Sequence, residues 1–146
     1  MPDIFLMTIR NDLHEISRLA EQIEIFCDRL GVFDNDVFQI NLVLDELITN
    51  LISYGYSDSS SHEIHIGLAP EKNRMKITMT DDGLAFNPLH DSPPVDIVSA
   101  LEKRKAGGLG LHFLQQMMDG FEYQRLDNMN QLIMFKNINQ QSTGKL

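Results

Sequence analysis

The sequence predicts a two-layer α/β (α+β) sandwich: a mixed, mostly antiparallel sheet with helices on one face. Three observations carry that prediction. Apolar residues recur at helical spacing between residues 11 and 54. Apolar and polar residues alternate near 62–82 and again near 121–137. The segments run in the order strand, two helices, two strands, irregular stretch, helix, two strands. At 146 residues the chain suits one domain with its own core. No internal repeat or linker divides it, so 1–139 is read as a single domain and 140–146 as a tail expected to fray.

Residues 3–10 mix β-branched and large apolar side chains and predict a first strand. From Asn11 the spacing becomes helical through Leu13, Ile16, Leu19, Ala20, Ile23, Phe26, Cys27 and Leu30. Asn11 or Asp12 can cap this helix, and Gly31 supplies a stop. A second helix follows Asp34–Asn35–Asp36 and runs to about Tyr54, where Gly55 ends it. The polar "SDSSS" at 57–61 is a loop. "HEIHIGLAP" and "RMKITMTDDG", either side of Asn73, predict a hairpin. Residues 87–106 hold three prolines and then a basic run, and are read as irregular. A third helix is expected from about Leu109 to Asp119, and "FEYQRL" and "QLIMFKN" flank "DNMN" as a second hairpin.

The net charge of −9 argues against general binding to nucleic acid or to an anionic membrane, since both need basic surface. A few local Lys and Arg could still hold a small anion. Cys27 is the sole cysteine, which forbids an intrachain disulfide and points to a reducing compartment. "MPDIFLMTIR" lacks the basic and apolar regions of a signal peptide, and no apolar run is long enough to span a bilayer. A cytoplasmic location is the expectation.

On the second helix, Val37, Ile40, Leu44, Leu47, Ile48 and Leu51 share one stripe that must face the core. Glu46 and Asn50 lie well round from it, one turn apart, with Asp45 on another side. A carboxylate there could act as a general base, and a carboxamide oxygen could bind a hard cation such as Mg²⁺. Two solvated polar residues would look the same. "TMTDDGLAF" ends a strand in two acids and a glycine. Gly83 allows a sharp turn, a small Ala85 keeps bulk away, and an Asp at a strand end can accept from an amino group such as that of adenine. An ordinary charged turn is the competing reading.

"KRKAGGLGLHFLQQMMD" places Lys103, Arg104 and Lys105, then Gly107, Gly108 and Gly110, at or before a helix start. Exposed backbone N–H groups there suit a phosphate, although a glycine hinge fits equally. A dinucleotide fingerprint fails because position 113 is Phe113. The terminal "TGKL" is no P-loop, because Asn139 and Leu146 break it. His62 and His65, three apart on a predicted strand, point to opposite faces and make a poor metal pair. Met117, Met118, Met129 and Met134 read as filler for a core or interface.

Taken in order, E-x-x-x-N on a helix, D-x-G-x-A after a strand and G-x-G-L at a helix start resemble the GHKL ATPases, the superfamily of gyrase, histidine kinases and MutL. The N box would be Glu46 to Asn50, the G1 box Asp81 to Ala85, and the G2 box Gly108–Leu109–Gly110–Leu111. "LVLDELITNLISYGY" and "KAGGLGLHFLQQMMDGFEYQR" look more closely like the anti-sigma factor serine/threonine kinases of the RsbW/SpoIIAB type, over about residues 5 to 138.

That resemblance implies the Bergerat, histidine-kinase-like ATPase fold, with Mg·ATP as substrate and a serine or threonine of a STAS-domain antagonist as phosphoryl acceptor. It also implies sequestration of a sigma factor, or of another output protein, usually by a homodimer. Asp81 would bind the adenine amino group, and Gly83 with Ala85 would shape the wall beside the base. Asn50 would ligate Mg²⁺ and Glu46 would serve as base. The G2 box, with Leu109 and Leu111 completing it, would offer the Gly108 and Gly110 N–H groups to the phosphates, assisted by Lys105 or Arg104. Ala85 departs from the second glycine of many relatives and is tolerable only at negative φ. The absence of a histidine-bearing dimerisation helix argues against a histidine kinase. A non-catalytic, partner-sequestering nucleotide binder of the same fold is the alternative.

Overall fold

The computed structural model describes residues 3–85 and 114–138. Its elements are β1 (Phe5–Arg10), α1 (His14–Arg29), α2 (Asp34–Tyr54), β2 (Glu63–Glu71), β3 (Arg74–Asp81), β4 (Gly120–Leu126) and β5 (Met129–Asn137). The five strands form one sheet in the order β1-β2-β3-β5-β4, antiparallel at each pairing. The expected mostly antiparallel sheet is therefore present, with no parallel pair among the described strands.

Alternation along the strands decides which face is covered. Ile64, Ile66 and Leu68 of β2, Met75, Ile77 and Met79 of β3, and Leu132 and Met134 of β5 are buried in one core. Leu19, Ile23, Phe26 and Cys27 of α1 meet them there, with Val37, Ile40, Val43, Leu44, Leu47 and Ile48 of α2. No described helix is long and apolar enough to cross a membrane.

The connections follow local chemistry. Gly31 ends α1 with φ of 76°, a conformation that costs glycine little. At the start of α1 it is Asp12 that serves: its Oδ1 accepts from the His14 N–H at 2.9 Å. Asn11 is spent elsewhere, accepting from the His62 N–H at 2.9 Å and donating to the Ser60 carbonyl at 3.2 Å. The β4–β5 turn is tighter than the four residues expected. Asp127 and Asn128 make it alone, with φ of 53° and 65°, which matches the twist of the strands. Met129 and Asn130 already belong to β5. Of the third helix, residues 109–113 fall outside the described region, residues 114–117 are helical, and Met118 and Asp119 lie beyond its end. The irregular stretch 87–106 and the terminal tail 140–146 also fall outside.

Among the described residues, three polar side chains are buried: Asp81, Asn130 and Lys136. All three sit in phase with apolar neighbours on the covered face. Lys136 Nζ donates to Gln39 Oε1 and, at 3.1 Å, to the Met117 carbonyl, and lies 3.9 Å from Asp36 Oδ1. One cation thus ties β5 to the start of α2 and to the C-terminal carbonyl of the 114–117 turn. Lys136→Ala would strand these partners, so its unfolding free energy in urea is expected to fall by about 3–5 kcal/mol. An unchanged midpoint would show that the cation holds nothing together.

Candidate functional site

The α2 stripe is wider than the sequence suggested. Val43 is fully buried and lies seven residues before Asn50, hence on nearly the same line of the helix. Glu46 and Asn50 therefore stand at the margin of the buried face rather than well round from it. Both are half-buried. Burial, and secondarily the negative charge of Asp45, lifts the Glu46 carboxyl above its ordinary range. Asp45 itself is exposed and accepts from Thr49 Oγ1 at 3.1 Å. The Asn50 Oδ1 oxygen is buried with no hydrogen-bond partner among the described residues. A lone pair desolvated in this way costs about 1–3 kcal/mol unless something else engages it.

At the end of β3 the alternation that buries Met75, Ile77 and Met79 continues inward to Asp81. That carboxylate is only 4% exposed. Its Oδ1 accepts from the Gly83 N–H at 2.8 Å and from Asn130 Nδ2 at 2.9 Å. Asn130 is its register partner on β5. Burial raises the Asp81 pKa, and the Asn130 and Gly83 hydrogen bonds only partly oppose it. The negative charge of Asp82 adds to the rise, while Arg125 works against it.

Asn130 is itself fully employed. Its Nδ2 also donates to the Leu84 carbonyl at 2.9 Å, and its Oδ1 accepts from Arg125 Nη1 at 3.0 Å and from the Tyr123 hydroxyl. Arg125 Nη1 donates further to the Gly83 carbonyl at 2.8 Å.

The turn after Asp81 is pinned to α2. The Leu84 N–H donates to the Gly55 carbonyl at 2.7 Å. A Cβ on Gly83 would come within 2.7 Å of that carbonyl oxygen, 2.9 Å of Asp81 Oδ1 and 3.0 Å of Leu51 Cδ1. Gly83 does not have positive φ, so glycine is needed here for close approach rather than for a sharp turn. Ala85 likewise avoids positive φ, the condition under which alanine is tolerated at this position. Gly55 and Leu51 thus fasten the Asp81 turn to the last turn of α2, the helix that carries Glu46 and Asn50.

On the outer side, His62 bridges two carboxylates, with Nε2 at 2.7 Å from Asp58 Oδ1 and Nδ1 at 3.0 Å from Asp82 Oδ1. Hydrogen bonds to Asp58 and then Asp82 raise its pKa. The ring also stacks on Tyr56, with centroids 4.1 Å apart.

Of the residues singled out in the sequence, Glu46 and Asn50 lie one turn apart on α2, and Asp81, Gly83 and Ala85 belong to the strand end and turn pinned to the end of that helix. Arg104, Lys105, Gly108, Leu109, Gly110 and Leu111 lie outside the described residues. Sequence reasoning missed Asn130, Arg125, Tyr123 and Tyr56. Asn130 did leave a signal, a polar residue in phase with Leu132 and Met134.

Residues 9–136 match the family of histidine kinase-like ATPase domains. The serine/threonine-protein kinase BtrW of Bordetella bronchiseptica is 29% identical over 96 residues, covering 65% of this chain and 66% of that protein. The serine-protein kinase RsbW of Oceanobacillus iheyensis is 29% identical over 101 residues, covering 63% and 60% respectively. The chain thus spans less than two thirds of the length of these two relatives. The blue-light activated histidine kinase of Erythrobacter litoralis shares the fold, with a TM-score of 0.56 at 17% identity over 88% of this chain and 42% of that one.

The raised pKa of Asp81 fixes the sign of its effect on stability. A carboxylate whose folded pKa exceeds its unfolded value costs stability while ionised, and the cost vanishes as pH falls through that pKa to the unfolded one. Asp81→Asn keeps a hydrogen-bond acceptor without the charge. It is expected to melt above wild type at neutral pH, with the gap closing on acidification through the carboxylate range. A variant that melts lower at neutral pH would contradict this.

Proposed function

The chain belongs to the family of histidine kinase-like ATPase domains, and on that premise we propose that it is an ATP-dependent protein serine/threonine kinase. The observation that carries the proposal is the half-buried Glu46 one turn before Asn50 on α2, whose Oδ1 has no hydrogen-bond partner among the described residues, in a helix whose end is pinned to the turn after the buried Asp81. The names of the relatives, a serine/threonine-protein kinase and a serine-protein kinase, support it.

Asp81 accepts the amino group of the adenine, held in orientation by Asn130 and the Gly83 N–H. Gly83 and Ala85 leave the adjoining wall free of bulk. The Asn50 oxygen suits Mg²⁺, because a desolvated carbonyl oxygen without a donor is a ready ligand for a hard cation. The ion supplies charge neutralisation to the phosphates when bound. Glu46, made more basic by burial, orients the hydroxyl of the incoming serine or threonine and takes its proton. On the sequence alone, Gly108 and Gly110, within the box completed by Leu109 and Leu111, donate backbone N–H groups to the phosphates, with Arg104 or Lys105 adding charge. Phosphoryl transfer needs chiefly positioning and neutralisation, which these groups provide.

The proposed acceptor is a STAS-domain antagonist in a cytoplasmic partner-switching system. The output partner would be a sigma factor or another protein, held by a homodimer of this chain.

Calorimetric titration of Mg·ATP and Mg·ADP into wild type and Asp81→Asn tests the site. Binding by wild type and its loss in the variant are expected; no binding by folded wild type would overturn the proposal. Glu46→Gln should bind nucleotide normally and transfer phosphate about 10²–10⁴-fold more slowly. Transfer at the wild-type rate would remove Glu46 from the chemistry and leave a nucleotide-binding module.

A further inference from the structure

Tyr56 follows Gly55, whose carbonyl clamps the Asp81 turn to α2. Its hydroxyl oxygen is buried and, like Asn50 Oδ1, has no hydrogen-bond partner among the described residues. The ring is not free to swing away and find one. It lies against the His62 ring, 4.1 Å between centroids and 13° from parallel. His62 in turn is held by Asp58 on one nitrogen and by Asp82 on the other. Burial, and then the charges of Asp81 and Asp82, keep the phenol protonated. Tyr56 therefore offers a fixed, neutral O–H donor beside the turn that carries Asp81 and Asp82, without a hydrogen-bond partner among the described residues.

We propose that Tyr56 is a specificity-determining residue of the nucleotide site, its hydroxyl donating to the ring nitrogen beside the amino group that Asp81 accepts. The inference rests on the proposed ATP site and adds the means of choosing the base. The edge of adenine places a donor, the amino group, beside an acceptor, the unprotonated ring nitrogen. Guanine presents the opposite order there, a carbonyl oxygen beside a ring N–H. An acceptor from Asp81 next to a donor from Tyr56 matches the first pattern and opposes the second.

Tyr56→Phe tests it, since the variant keeps the stacked ring and loses only the hydroxyl. Wild type and variant would be titrated with Mg·ATP, with Mg·GTP, and with an ATP analogue carrying C–H in place of that ring nitrogen. Tyr56→Phe is expected to bind Mg·ATP about tenfold more weakly, the magnitude of one hydrogen bond. It should bind the analogue as well as wild type does, and its preference for ATP over GTP should narrow. Unchanged ATP affinity would overturn the assignment, leaving the hydroxyl to a water molecule. Equal weakening toward ATP and the analogue would also overturn it, by showing a structural effect. Failure of wild type to bind ATP at all would remove the nucleotide site, and Tyr56's role with it. Loss of the Tyr56 effect alone would leave that site standing.

Discussion

A carboxylate stands where the alternation of β3 calls for an apolar side chain, and the geometry of the whole site end follows from how that charge is tolerated. Asp81 is almost completely removed from water. An ionised group in that position is costly unless hydrogen bonds replace its hydration. Two do so, one from its own turn and one from the opposite residue on β5. The supply reaches further, because Asn130 can aim its amide at Asp81 only while Arg125 and Tyr123 hold its oxygen. Arg125 then grips the Gly83 carbonyl, so the strand end, the turn and the β4–β5 hairpin form one connected polar network.

That network is useful because it is fastened to the helix that carries the other polar groups. The Gly55 carbonyl at the end of α2 receives the Leu84 N–H, and the absence of a side chain on Gly83 permits the approach. At the far end of α2, Lys136 anchors the first turns through Gln39. The helix is thus held at both ends relative to the sheet. Glu46 and Asn50 lie between the two anchors, on the border between core and surface, where a carboxyl becomes more basic and an amide oxygen is buried with no partner among the described residues. A stability cost of this kind, concentrated at a few polar groups of an otherwise consistent fold, is the pattern expected of a functional site.

Much of the architecture was legible because it depends on periodicity. The period of 3.6 in residues 14–54 and the period of two in β2, β3 and β5 are local properties, and both survived into the structure. Where local chemistry was ambiguous the reading slipped. Asn11 and Asp12 are equally good caps on paper, and only the nearness of the loop at Ser60 and His62 takes Asn11 away. Val43 widens the buried stripe of α2 beyond the residues that spacing alone selects, and that draws Asn50 to the edge of the core.

The sequence by itself determined the elements, the strand-end acid and the polar pair on α2, because spacing along one segment sets which side chains share a face. It could not determine which of these polar groups would be desolvated, nor who would serve them. Asn130 and Asp81 are 49 residues apart and Arg125 and Gly83 are 42 apart; they meet only because β5 pairs with β3. The oxygens of Asn50 and Tyr56, buried with no hydrogen-bond partner among the described residues, are likewise products of packing. Burial is decided by what lies across the interface, and that information is nowhere in the local pattern.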